Sequence, residues 1–200
     1  MVKSSTKYQA TEEEIRALFE AKGFGRVVRI EPLGDGEFNA AFQVTCENGK
    51  SYALKIAPPA DARVLTYEKN MMDSEVFWYR QMQEHTDIRC PGIYAADFSR
   101  KILKSNCFIM EMMQGEPLWK CEFTPEEAKK VQEEKIGMLA KIHGIKNDGY
   151  GYRQRGLWDS WYEALRHMAG DLVEDCKNLG YETPDGERFL QWIDEQEAVL

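Results

Sequence analysis

Apolar residues first recur at helical spacing. Thr11 stands three residues before Glu14, and Ile15, Leu18 and Phe19 follow on one face, so a helix is predicted there with Lys22-Gly23 as its stop. Residues 27–33, 40–46 and 51–57 then read as strands. Glu47-Asn48-Gly49 between the last two is a hairpin signal, and Pro58-Pro59 ends the third. A helix is predicted over about residues 66–84, followed by short strands over 93–98 and 107–112. From Thr124 onward the pattern is helical only. Thr124-Pro125-Glu126-Glu127 combines a cap, a proline at the first helical position and a capping-box glutamate, and Ile136, Leu139, Ala140 and His143 share one face beyond it. Two further helices fit residues 157–178 and 184–199, the latter capped by Thr183. Five strands with one inserted helix, followed by helices alone, indicate an α+β fold with a boundary near Gly115, dividing the chain into residues 1–115 and 116–200.

Composition narrows the class without naming it. Hydrophobic residues make up 43% and charged residues 30% of 200, which is ordinary globular usage. No apolar run reaches the length of a membrane helix, and Met1–Lys7 is polar with no secretory h-region. The five cysteines are odd in number and include no C-x-x-C pair, which argues against a zinc site or a disulfide framework; reduced thiols in a cytoplasm are expected. Residues 1–115 carry 15 basic and 16 acidic side chains, while residues 116–200 carry 11 and 18. The acidic second half disfavours nucleic-acid binding. It suits either a small cationic ligand or simply a solubilising surface.

Three features carry candidate chemistry. Gly34-x-Gly36-x-x-Asn39 lies between two strands, where glycines let backbone N–H groups approach a phosphate; the same residues also make a plain β-turn. It is neither a dinucleotide fingerprint nor a Walker A loop, because a strand follows it and no Gly-Lys-Ser/Thr occurs there. Lys55 interrupts the apolar strand Tyr52-Ala53-Leu54-Lys55-Ile56-Ala57, so it either faces solvent or needs an anionic partner. Glu68 and Glu75 are seven residues apart in the helix that follows, and either is a candidate for that partner or an ordinary surface carboxylate.

The order of glycine loop, hairpin, strand with lysine and helix with glutamate is that of a kinase nucleotide lobe. Residues 33–152 resemble the aminoglycoside phosphotransferase family, which shares its fold with choline kinases and protein kinases. The resemblance rests on Glu75-Val76-Phe77-Trp78-Tyr79-Arg80-Gln81-Met82, on Pro91-Gly92-Ile93-Tyr94-Ala95-Ala96-Asp97 and on the linker-like segment from Cys107 to Leu118. It continues in Ile136-Gly137-Met138-Leu139-Ala140-Lys141-Ile142-His143 and Tyr150-Gly151-Tyr152. It implies a kinase-like N-lobe, a five-stranded antiparallel sheet with one inserted helix, followed by the first helices of an α-helical C-lobe. It implies that Lys55 contacts the phosphates of ATP or GTP bound with Mg²⁺, that Glu75 pairs with Lys55, and that Gly34, Gly36 and Asn39 cover the phosphates. Met110 would then shape the purine pocket, with the backbone of Glu111, Met112 and Met113 at the adenine edge. His143 reads as structural rather than as a base.

The family's H-G-D-x-x-x-x-N loop, which supplies the catalytic base and metal ligands, is absent from these residues. The one near match, His167-Met168-Ala169-Gly170-Asp171-Leu172, fails on spacing and lies in a helical pattern with Trp161, Leu165, Met168 and Leu172 on one stripe. The chain is therefore expected to be the nucleotide-binding front of a small-molecule phosphotransferase. No catalytic or metal-ligating residue is expected within it, and it should be inactive alone and self-associate through its incomplete helical lobe. A small cationic acceptor is expected, with no nucleic-acid or membrane partner. The alternative is a non-catalytic nucleotide-binding or interaction protein on the same lobe.

Overall fold

The computed structural model describes residues 6–34 and 38–200. Helix α1 (Glu12–Ala21) starts on its capping box: Thr11 Oγ1 accepts from the Glu14 N–H at 3.2 Å, and Glu14 Oε2 accepts from the Thr11 N–H at 2.9 Å. Strands β1 (Val27–Pro32), β2 (Ala40–Cys46), β3 (Ser51–Ile56), β4 (Ile93–Asp97) and β5 (Cys107–Glu111) form one antiparallel sheet in the order β1-β2-β3-β5-β4. The helices after the sheet are α3 (Pro125–His143), α4 (Trp161–Asn178) and α5 (Pro184–Glu195). This is the kinase-like lobe with following helices that the sequence predicts.

Register divides the sheet into two faces. Phe42, Leu54 and Ile109 are cross-strand partners, as are Ala40, Ile56 and Cys107. With Val44 and Cys46 they form one face, which packs on Ile15, Leu18 and Phe19 of α1 as the main core. Burial of the Cys107 thiol pushes its pKa up to about 12, so it behaves as a core residue.

The helix predicted over residues 66–84 begins later. Residues Thr66–Glu68 make a single 3-10 turn, Asn70 takes a left-handed conformation at φ 60°, and α2 runs Met71–His85. The cause is local: Glu68 Oε2 accepts from the Leu65 N–H at 2.7 Å and caps its own short turn. Glu68 and Glu75 therefore do not share a helical stripe. Helix α4 likewise starts at Trp161 rather than residue 157, because Ser160 caps it and Trp158 pairs with Tyr150 in an isolated bridge. Thr183 holds the N-cap position of α5, but its side chain makes no cap, and its buried Oγ1 has no partner among the described residues. In α3 the expected face stays exposed, Ile136 at 64% and Leu139 at 49%.

The chain forms two compact units, residues 1–62 with 76–145 and residues 63–75 with 146–200. The second has a small apolar core that includes Ala164, Ala169 and Ile193. Its α4 and α5 approach closely at Gly186, where a Cβ would stand 2.7 Å from Val173 Cγ2.

Two predictions follow from this packing. Alanine normally outperforms glycine inside a helix, yet Gly186→Ala is expected to destabilise by about 1–3 kcal/mol. Val173→Ala should recover part of that loss in the double mutant, as read by urea unfolding. The second concerns Asp97, whose carboxylate takes the Lys22 ammonium at 2.8 Å and two hydrogen bonds from Ser99, holding its pKa at about 2. A carboxyl depressed in the folded state stabilises fully above its unfolded pKa of about 4 and loses that contribution as pH falls through about 2. Asp97→Asn is expected to cost about 1–2 kcal/mol at neutral pH and to flatten the wild-type loss of stability between those limits, measured by denaturant titration across pH.

Candidate functional site

The face of the sheet opposite the main core carries the candidate chemistry. Lys55 pairs across the sheet with Ala41 on one side and Phe108 on the other, and Ala53 pairs with Gln43 and Met110. Directly opposed residues share a face, so Ala41, Gln43, Ala53, Lys55, Phe108 and Met110 lie together. The half-buried Lys55 extends over the buried ring of Phe108, with Nζ 5.7 Å from its centroid, within cation–π range. Tyr79 of α2 packs on the same ring at 6.3 Å between centroids. Small side chains at 41 and 53 leave the lysine's flank low. Ala53 is absent from the sequence-based set, although its position two residues before Lys55 gives the signal for a shared strand face.

The glycine loop lies at the β1–β2 end. Its neck is closed by a Leu33 N–H bond to the Ala41 carbonyl at 2.8 Å. Gly34 sits in a turn, where a Cβ would meet nothing within 4 Å among the described residues. Asn39 is half-buried just before β2, and Gly36 lies outside the described residues.

Met110 falls within β5, beside Ala53 and Ile93. Glu111 ends that strand with both its backbone and its side chain engaged. Its N–H donates to the Gly92 carbonyl at 2.8 Å. Its carboxylate accepts from Arg89 and from the Gly92 N–H, and the Arg89 guanidinium holds the carboxyl below its usual pKa. Glu111 therefore clamps the turn before β4 to the end of β5. Met112 and Met113 continue past the strand, half-buried and exposed, with no backbone hydrogen bond to another described residue.

Glu75 lies half-buried in the first part of α2. It belongs to the second compact unit and Lys55 to the first. Glu68, the rival partner, spends its carboxylate on the Leu65 N–H.

The segment 63–75 is held by polar contacts that have no short-range sequence signal. Asp175 of α4 accepts from the Thr66 N–H at 2.6 Å and the Thr66 hydroxyl at 2.8 Å. Arg153 reaches Asp73 at 2.7 Å, and the rings of Tyr67 and Tyr152 stack at 5.5 Å. The near match to a catalytic loop is explained in the same unit. His167 and Asp171 sit within α4; His167 stacks on Trp158 at 4.9 Å, and Asp171 accepts from Arg155 Nε at 2.7 Å and Nη2 at 3.0 Å. His143 is exposed in the last turn of α3. Among the described residues no three His, Cys, Asp or Glu side chains gather as a metal site, and no helix is long and apolar enough to cross a membrane.

The profile of the phosphotransferase enzyme family matches residues 29–198. The chain belongs to that family. In fold it is similar to a crystal structure of a Ralstonia eutropha JMP134 protein taken to be an aminoglycoside phosphotransferase, with a TM-score of 0.56 at 18% identity over 92% of this chain. It is also 24% identical over 149 residues, 68% of its length, to an Arabidopsis thaliana protein named probable acyl-CoA dehydrogenase IBR3. The chain spans 53% of the solved protein and 18% of the Arabidopsis one.

Proposed function

We propose that this chain supplies the nucleotide-binding part of a small-molecule phosphotransferase that moves the γ-phosphoryl group of ATP or GTP, with Mg²⁺, to a substrate hydroxyl. The observation that carries the reading is Lys55, a cation held over the buried ring of Phe108 and flanked by Ala41 and Ala53. A lysine placed there binds phosphate as a compact point charge, and the low side chains beside it leave room for a nucleotide. In this reading Gly34 lets backbone N–H groups approach a phosphate without a Cβ in the way. In this reading Glu75 orients Lys55, Asn39 and Gly36 complete the loop, and Met110 with the backbone of Met112 and Met113 borders the purine. The backbone N–H of Glu111 is committed to Gly92, so in this reading Glu111 offers the purine its carbonyl. The acidic residues 116–200 favour a cationic acceptor such as an aminoglycoside or an amino alcohol.

The second reading is a nucleotide-binding module without catalysis. It draws on the Arabidopsis relative, in which the similar segment is part of a much longer protein named for a different chemistry.

Lys55→Ala is expected to weaken Mg-nucleotide binding by about ten- to hundredfold, the loss of a charge-assisted phosphate contact of roughly 1.5–3 kcal/mol. Glu75→Gln should cost less, because it removes only the group that orients the lysine. Calorimetric titration of the wild type and both variants checks this, and equal affinities for wild type and Lys55→Ala would remove Lys55 from the site. The 200 residues alone are expected to phosphorylate neither an aminoglycoside nor choline above background, since transition-state clamping needs the loop that they lack. Steady ATP-dependent turnover by this chain would refute that expectation.

A further inference from the structure

We propose that Gln154 is a positioning residue for Glu75, an inference that rests on the role given to Glu75 above. Gln154 is a half-buried side chain in the loop before α4, and both ends of its amide are used. Its Oε1 accepts from the Ser74 hydroxyl at 2.8 Å, and its Nε2 donates to the Tyr67 carbonyl at 2.7 Å. One planar amide thus ties two points seven residues apart, the 3-10 turn at Thr66–Glu68 and the first part of α2, with Glu75 next to Ser74. Ser74 is itself buried, so its hydroxyl has little access to water as a substitute.

The neighbours of Gln154 fix the amide in turn. Arg153 reaches forward to Asp73, the residue before Ser74, while Arg155 takes both oxygens of Asp171 on α4. Of three consecutive side chains, 153 and 154 hold the segment that bears Glu75, and 155 holds α4. The remaining anchor, Asp175 on Thr66, comes from the same helix one turn further on. Among these contacts only Gln154 spans both the turn and α2. Without it, the turn and α2, joined through the left-handed Asn70, lose the one named side chain that bonds to both. The carboxylate of Glu75 then loses a fixed origin, although neither Gln154 nor Ser74 is itself given any contact with nucleotide.

The test is Mg-ATP titration of the whole chain as wild type, Gln154→Ala, Ser74→Ala, Glu75→Gln and the double variant Glu75→Gln/Gln154→Ala. Tyr162→Phe, which loses a surface hydrogen bond to Asp194 elsewhere in the same unit, serves as the stability control. Thermal unfolding is recorded for each. Gln154→Ala and Ser74→Ala are expected to weaken binding by about two- to fivefold, no more than Glu75→Gln. The Gln154→Ala effect should vanish in the Glu75→Gln background, and Tyr162→Phe should bind as wild type. Wild-type affinity in Gln154→Ala and Ser74→Ala overturns the inference while leaving the nucleotide site intact, as does an undiminished Gln154→Ala effect on the Glu75→Gln background. If Gln154→Ala does not fold, Ser74→Ala carries the same comparison. A wild-type chain that does not bind Mg-ATP overturns the nucleotide reading and this inference with it.

Discussion

Leu54 lies between Phe42 and Ile109 across the sheet and is sealed against α1, and this packing decides where Lys55 goes. Successive strand residues point to opposite faces, so burying Leu54 forces its neighbour onto the other side. Burial of each large aliphatic on the core face contributes about 1.5–3 kcal/mol. A slip of one residue would take Tyr52, Leu54 and Ile56 off the core against α1 together and drive an ammonium into it. The lysine is therefore held on its face by residues that have no chemistry of their own. Ala53 and Met110 reach that face by the same register, which makes the candidate site a by-product of core packing.

The second unit is held differently. Its named buried apolar residues are few, and its geometry rests on the Thr66–Asp175 pair, the bridging amide of Gln154, Arg155 on Asp171 and two aromatic stacks. Each such bond contributes only about 0.5–1.5 kcal/mol net, but it specifies direction, which apolar contact does not. Gly186 adds a steric condition, since α5 can lie on Val173 only without a Cβ. A region fixed by direction rather than by apolar area is stable enough to place a carboxylate and soft enough to be shifted by one substitution.

Asp171 shows how a local motif misleads. A histidine followed by Gly-Asp invites a catalytic reading, yet the residues around it form one capped helix, and a distant arginine occupies both carboxylate oxygens. Backbone geometry and the partner's identity overrule the string of letters.

The sequence by itself determined the elements, because their signals are local. Thr11 with Glu14 and Thr124 with Glu127 cap the helices as read, the strands fall within a residue or two of the stretches read from the pattern, and Asn48-Gly49 turns the hairpin. It also placed Lys55 in a strand and Glu75 in a helix, and the ordered set of motifs was enough to reach the family. Tertiary structure decided what depends on contacts between distant residues. It moved the start of α2 to Met71, since the carboxylate of Glu68 turned back on its own chain, and with that it took Glu68 off the helix that carries Glu75. It committed the backbone N–H and the side chain of Glu111 to the turn at Gly92, which lies nineteen residues away. It brought Gln154 to Ser74 across eighty residues. No window of sequence contains both ends of such a bond, and a glutamine or aspartate carries no mark of which donor it will meet until the chain has folded.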